Sequence, residues 1–328
     1  MSPIAEFLRG AAWPGAADVA YPRAEPADAS RLPIDTWATA QLPVGVRLEI
    51  VGTARKFEVD YTCQTDDLGY RGVGAGASFT VWQGDTKLDD VAASLSGGTV
   101  SLSATAASSD APIHIHVPEG MKPKLLDFRA LDGTADPAPA GPRWLAYGDS
   151  ITEGWVASGP GMAWPAIAAR KHGLDVVNLG YAGACRGEIP SAEQIAKLPA
   201  DVISVFYGTN CWSRIPFSVE MLTAGFKAFL EVVRQGHPRT PIVVVSMIVR
   251  PDAETTPNRL GATMQDLRHA IEGAVRVLDD PHMSLVRGGD LVAGEQLPDG
   301  IHPGDEAQWI LASAIGEAVV AALAAATT

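Results

Sequence analysis

Two regimes of apolar and polar patterning divide the chain. Between residues 46 and 131 apolar positions recur every second residue over short runs, at 46–51, 56–63, 77–82, 98–104, 112–117 and 124–131. A period of two is that of a strand with one buried face. Turn pairs Gly84-Asp85 and Gly97-Gly98 separate several of these runs. Many short strands with no helical period predict a β-sandwich or jelly roll. Residues 1–40, rich in Ala and Pro, are expected to wrap the surface with little regular structure. Thr134–Pro142, T-A-D-P-A-P-A-G-P, reads as a linker.

Beyond Pro142 the period changes. Near-continuous apolar runs at 144–147, 175–179, 202–207 and 242–248 alternate with helical segments near 163–171, 192–198, 219–234 and 260–278. A last helix opens at Pro303 and runs to about Ala325. Strand alternating with helix predicts fold class α/β, a parallel sheet with helices on both faces, with ligands beyond the carboxyl ends of the strands. The expected organisation is a β-sandwich over 1–134 and an α/β domain over 135–328.

Composition narrows the function classes. A formal net charge of −13 argues against nucleic acid and anionic membranes as partners. Three cysteines, Cys63, Cys185 and Cys211, are too few and odd in number for a disulfide framework. The N-terminus lacks a basic segment followed by an apolar core. The tail after Glu317 holds only a short uncharged run, so no membrane span is predicted and the cytoplasm is the expected location.

The chemistry concentrates in Arg143–Trp155, R-W-L-A-Y-G-D-S-I-T-E-G-W. An apolar run ends at Gly148, and Asp149-Ser150 occupies the turn into a helix. A serine there has an exposed oxygen and backbone N–H groups nearby to receive an oxyanion; it also suits a plain N-cap. Three further stretches follow in order. Asn178-Leu179-Gly180 precedes Tyr181-Ala182-Gly183, Tyr207-Gly208-Thr209-Asn210 ends an apolar run, and Asp299-Gly300-Ile301-His302-Pro303 lies near the C-terminus. His302 supplies an imidazole, the side-chain type suited to act as a general base, and Asp299 lies three residues before it.

Together these four blocks resemble those of the SGNH (GDSL-type) hydrolases, over roughly residues 143–326. The resemblance implies a three-layer, flavodoxin-like domain in which Ser150 is the nucleophile, His302 its base and Asp299 the group that orients it. It implies an oxyanion hole made by Ser150, Gly180 and Asn210, and chemistry without metal or cofactor. The two-domain plan resembles carbohydrate esterases with a jelly roll ahead of such a domain, and a salicylyl acyltransferase that tailors a tetracycline. The expected reaction is acyl transfer through acyl-Ser150, in an esterase acting on O-acyl esters of a small molecule or sugar. An acyltransferase with an alcohol acceptor is the alternative, and a non-catalytic binding protein the third reading.

Where many relatives carry Asp after the block-three Asn, this chain has Cys211-Trp212. With Trp155 these residues are candidates for a drier substrate wall; both tryptophans fit equally as core. Arg250, before the Pro-rich segment 251–257, is a candidate for contact with an anionic substrate, or a surface ion pair. His114 and His116 stand two apart on one strand face. That spacing suits zinc, but no third ligand is near, so exposed strand histidines are expected. Cys185 and Cys211 are expected to be buried free thiols.

Overall fold

The computed structural model describes residues 4–15, 19–66, 76–107 and 110–326. A turn of helix, α1 (Ile4–Phe7), leads into β1 (Leu8–Arg9), and α2 (Ile34–Ala40) follows. Eight more strands come next: β2 (Arg47–Val51), β3 (Lys56–Cys63), β4 (Ser78–Gln83), β5 (Thr86–Ala92), β6 (Gly98–Ser103), β7 (Ile113–His116), β8 (Pro123–Ala130) and β9 (Asp136–Pro137). One sheet runs β1-β2-β7-β4-β5 with β9 against β2, and the other runs β6-β3-β8. Their inner faces meet through Leu48, Ile50, Val81 and Ile115 on one side and Phe57, Val59, Val100 and Leu102 on the other. The period of two thus carried the sandwich. β5 was not expected, because its T-K-L-D-D-V-A run barely alternates; it is a half-exposed edge strand. β9 lies beyond Thr134, so the chain still adds to the sandwich inside the expected linker.

The outer face of the first sheet is polar yet buried. Strand register sets Arg47, His116 and Thr80 side by side, and Glu49, His114 and Trp82 in the next row. This face presses on the α/β part. Arg47 Nη1 donates to Val176 O at 3.1 Å, Thr80 Oγ1 to Pro160 O at 2.6 Å, and Arg170 lies 4.4 Å over the Trp82 ring. His114 and His116 are therefore 7% and 1% exposed, not the exposed pair expected from sequence. Burial, then the charges of Arg47 and Arg170, push both imidazoles well below their usual range. Among the described residues no group of three or more side chains suits a metal ion.

The second unit opens with β10 (Arg143–Gly148) and α3 (Ser150–Glu153). It continues through α4 (Trp164–His172), β11 (Asp175–Gly180), α5 (Ile189–Lys197), β12 (Val202–Phe206), α6 (Val219–Gly236), β13 (Ile242–Val245), α7 (Met264–Leu278), β14 (Met283–Val286) and α8 (Asp305–Ala326). The sheet order is β11-β10-β12-β13-β14 with every neighbour parallel, the flavodoxin-like 2-1-3-4-5 arrangement. Tyr147, Val205, Phe226 and Phe229 form the apolar layer on one side; Trp144, Phe206, Ile167 and Leu311 form it on the other. Helix α7 starts later than its apolar pattern suggested. Thr263 and Asp266 close a capping box there. By length and composition α8 is apolar enough to cross a membrane, contrary to the sequence reading. Its Ala307, Leu311, Ile315 and Val319 are buried in the core beside Trp144 and Ile167.

The N-terminal segment does more than wrap the surface. Tyr21, Ala24 and the whole of Arg23 are buried, and Trp13 and Trp37 pack on the core layer that contains Tyr147.

Candidate active site

The site forms where the sheet order reverses, at the carboxyl ends of β10, β11 and β12. β10 stops at Gly148, and Asp149 caps α3 by accepting the Ile151 N–H at 3.0 Å. Its other oxygen takes the Thr209 N–H at 3.3 Å, so one buried carboxylate ties the Ser150 turn to the turn after β12. Burial pushes that carboxyl above its usual range. Ser150 is the first residue of α3.

The loop between β14 and α8 brings in the other partners. Asp299 Oδ1 accepts the N–H groups of Ile301 (3.0 Å) and His302 (2.8 Å), which folds the D-G-I-H turn around its own carboxylate. Asp299 Oδ2 lies 2.6 Å from His302 Nδ1, and His302 Nε2 lies 2.8 Å from Ser150 Oγ. With the carboxylate at Nδ1, the ring proton sits there and Nε2 is the acceptor for the serine O–H. Burial opposes charge on Asp299, but the hydrogen bonds from the His302 ring and backbone outweigh it and hold the carboxyl below its usual range.

The expected oxyanion donors fare differently. Asn210 Nδ2 donates one N–H to Cys185 O at 3.1 Å and keeps a second. The Gly180 N–H, by contrast, donates to Asn178 Oδ1 at 2.9 Å, so it is not the open donor the block pattern suggested. Gly180 is glycine for packing: a Cβ there would overlap the backbone of Thr152 and Glu153. The residue missed is Gly183. It has φ +69°, open space where a Cβ would stand, and an N–H with no acceptor among the described residues. It shares a turn with Cys185, whose carbonyl holds Asn210. N-L-G-Y-A-G contains both glycines, and nothing local says which N–H is open.

That turn is clamped from the N-terminal segment. Arg23 donates to Leu42 O (2.6 Å), Thr39 O (2.8 Å) and Gly180 O, and pairs with Glu153 Oε2 at 3.0 Å. The same Glu153 oxygen accepts the Ala182 N–H at 3.1 Å. Tyr181 Oη returns a bond to Arg23 O at 2.6 Å. A buried ion pair thus joins the serine's helix, the turn carrying Gly183 and residues 23–42.

Of the candidate substrate contacts, Trp155 stands beside the His302 ring, centroids 5.8 Å apart and tilted by 38°. Trp212 is half-buried, its Nε1 donating to Thr256 O at 2.9 Å. Cys211 does not line the site. It is fully buried in the core with Tyr207 and Phe226, and burial pushes its thiol up, as it does that of Cys185. Arg250 is not open to a substrate either. Its guanidinium is held by both Asp252 oxygens (2.9 and 3.1 Å) and lies 4.9 Å from the Trp212 ring centroid.

A serine, an imidazole and a carboxylate in line on a 2-1-3-4-5 sheet are the equipment of an enzyme that acts on esters. The chain belongs to the GDSL-like lipase/acylhydrolase family, whose model matches residues 146–310. Among solved structures it is similar to the salicylyl acyltransferase SsfX3 from a tetracycline biosynthetic pathway. Identity is 25%, with 99% of this chain and 97% of that one covered and a TM-score of 0.81. A GDSL-like lipase from Bacteroides ovatus shares 21% identity over 97% of this chain and 95% of its own (TM-score 0.78). A family two carbohydrate esterase from Clostridium thermocellum, in complex with cellohexaose, shares 16% over 85% and 92% (TM-score 0.61). These two bear on the fold alone. No curated protein matches the chain in sequence.

Proposed function

We propose that Ser150 carries the acyl group as a covalent ester, and that the enzyme hydrolyses O-acyl esters of a small molecule or sugar. His302 Nε2 takes the serine proton as Oγ attacks the carbonyl carbon. It returns that proton to the departing alkoxide, then activates water to release the acid. Asp299 keeps the imidazole in the productive tautomer and stabilises its charged form. The N–H groups of Ser150 and Gly183 and the free amide hydrogen of Asn210 face the oxyanion. The observation that carries this reading is the unbroken relay of 2.6 and 2.8 Å from Asp299 through His302 to Ser150.

Transfer to an alcohol is the second reading. It is favoured by the likeness along the whole chain to a salicylyl acyltransferase and by the indole of Trp155 beside His302. Both readings share the acyl-enzyme, so one experiment separates them. A series of 4-nitrophenyl esters of rising acyl size is turned over with and without sugar and phenolic acceptors, against a Ser150→Ala control that loses turnover and fluorophosphonate labelling. Acid release unaffected by acceptors supports the esterase. Saturable transfer replaces it with the acyltransferase, and labelling that survives in Ser150→Ala removes both.

A further inference from the structure

The loops after β12 and β13 enclose a groove of about 570 Å³ next to the candidate oxyanion turn. Trp212 and Ser213 line one side, Pro257 and Asn258 the other, and Arg214 and Arg259 stand at its walls. Its lining adjoins Asn210. Ser213 Oγ donates to Asn210 O at 3.3 Å, and Asn258 Nδ2 ties the far loop to Phe217 O at 2.9 Å. The groove therefore lies on the Asn210 side of Ser150, over the carboxyl ends of the strands where a flavodoxin-like sheet takes its ligands.

Its charge is unusual for this chain, which carries 38 acidic residues against 25 basic ones. Arg214 and Arg259 are exposed, and neither forms an ion pair among the described residues. Among the described residues no acid lines the groove. The two acids of the neighbouring loop already have partners: Asp252 is held by Arg250, and Glu254 by Arg268 at 2.6 Å. Two cations thus line one groove with no ion-pair partner among the described residues. In the same lining stands the Trp212 indole, held by Thr256 O and by the Arg250 guanidinium over its ring. A flat apolar wall with two guanidinium groups at its edge complements a planar or apolar group that bears a carboxylate or phosphate.

We infer that this groove is an anion-recognising subsite, and that the enzyme's natural ester carries a negative charge one aromatic ring or short chain away from the reacting carbonyl. The inference rests on the acyl-transfer reading for what is bound, but not for whether it binds. The anion belongs either to the acyl group or to the alcohol part, and paired esters distinguish them. On the acyl side, 4-nitrophenyl hemiglutarate is compared with 4-nitrophenyl valerate. On the alcohol side, 4-acetoxybenzoate is compared with its methyl ester. One pair is expected to show kcat/KM about fivefold or more in favour of the anion at low ionic strength, two exposed arginines each giving about two- to fivefold. That ratio is expected to shrink in ~0.5 M salt, and to approach one in the Arg214→Gln/Arg259→Gln double variant.

Binding to Ser150→Ala, measured by titration calorimetry with benzoate against benzamide, reads the same discrimination without turnover. Ratios at or below one in both ester pairs, with neutral esters still turned over by the wild type, overturn the subsite and leave the acyl-transfer reading standing. Equal binding of benzoate and benzamide overturns it even where no ester is turned over. Preference for benzoate without any turnover keeps the subsite and removes the reaction assigned to its neighbour.

Discussion

Arg23→Met tests whether the N-terminal segment is part of the catalytic unit. Arg23 and Glu153 side chains are 1% and 0% exposed, and the arginine satisfies three main-chain carbonyls besides its carboxylate partner. Methionine fills much of the volume but takes the Arg23 guanidinium away from a buried carboxylate. Breaking a buried pair from one side costs about 3–5 kcal/mol. For a unit the size of the α/β part, at about 2–4 °C per kcal/mol, the melting temperature is expected to fall by roughly 6–20 °C. Glu153→Gln removes the carboxylate's charge, so Arg23→Met/Glu153→Gln is expected to recover part of the loss, with a coupling of about 2 kcal/mol or more in the double-mutant cycle. Urea and thermal unfolding followed by circular dichroism supply all four corners. The turn that carries Gly183 hangs from the same pair, so kcat on a 4-nitrophenyl ester is expected to fall more than KM rises. A stability loss below about 1 kcal/mol, or strictly additive single and double variants, refutes the reasoning.

Asn210→Ala is expected to lower kcat about 10²–10³-fold with little change in KM, as for loss of one oxyanion donor; steady-state kinetics within about twofold of wild type takes Asn210 out of the site. His302→Ala is expected to cost about tenfold more in kcat than Asp299→Asn, because one removes the base and the other only its orienting partner. The reverse order in the same assay makes that division of roles wrong. The buried His114 and His116 have folded-state values below their unfolded ~6.5, so their contribution to stability is intact above that pH. It is lost as the pH falls toward the folded values, at up to ~1.4 kcal/mol per pH unit for each ring. Urea midpoints measured from pH 7.5 to 5 are expected to flatten in His114→Gln/His116→Gln, and an unchanged slope assigns the acid lability to other groups.

Much of this protein is written locally. Alternation at 46–51 and 56–63 specified sandwich strands, because a pleated strand sorts its side chains to two faces whatever the partner. Apolar runs alternating with helical segments specified the parallel sheet, because such strands are covered on both faces. The four blocks sit at strand ends and turns, so their order and residue types were legible, and the Asp299–His302 turn closes within four residues of chain. What the sequence left open depends on groups brought together from far apart. Gly180 and Gly183 look alike in N-L-G-Y-A-G until the Asn178 side chain takes one N–H and leaves the other. Arg23 reads as a surface residue of a Pro-rich arm until the fold sets it against Glu153, 130 positions away. His114 and His116 read as an exposed pair because no third ligand stands near them in sequence, and only docking of their strand face on Val176, Pro160 and Arg170 buries it. Arg250 and Arg214 cannot be told apart by type; Asp252 pairs with the first, and no described residue forms an ion pair with the second. Periodicity and turn chemistry act over a few residues of backbone. Whether a donor is open or a charge is paired is decided by the three-dimensional neighbourhood, and that exists only once the chain has folded.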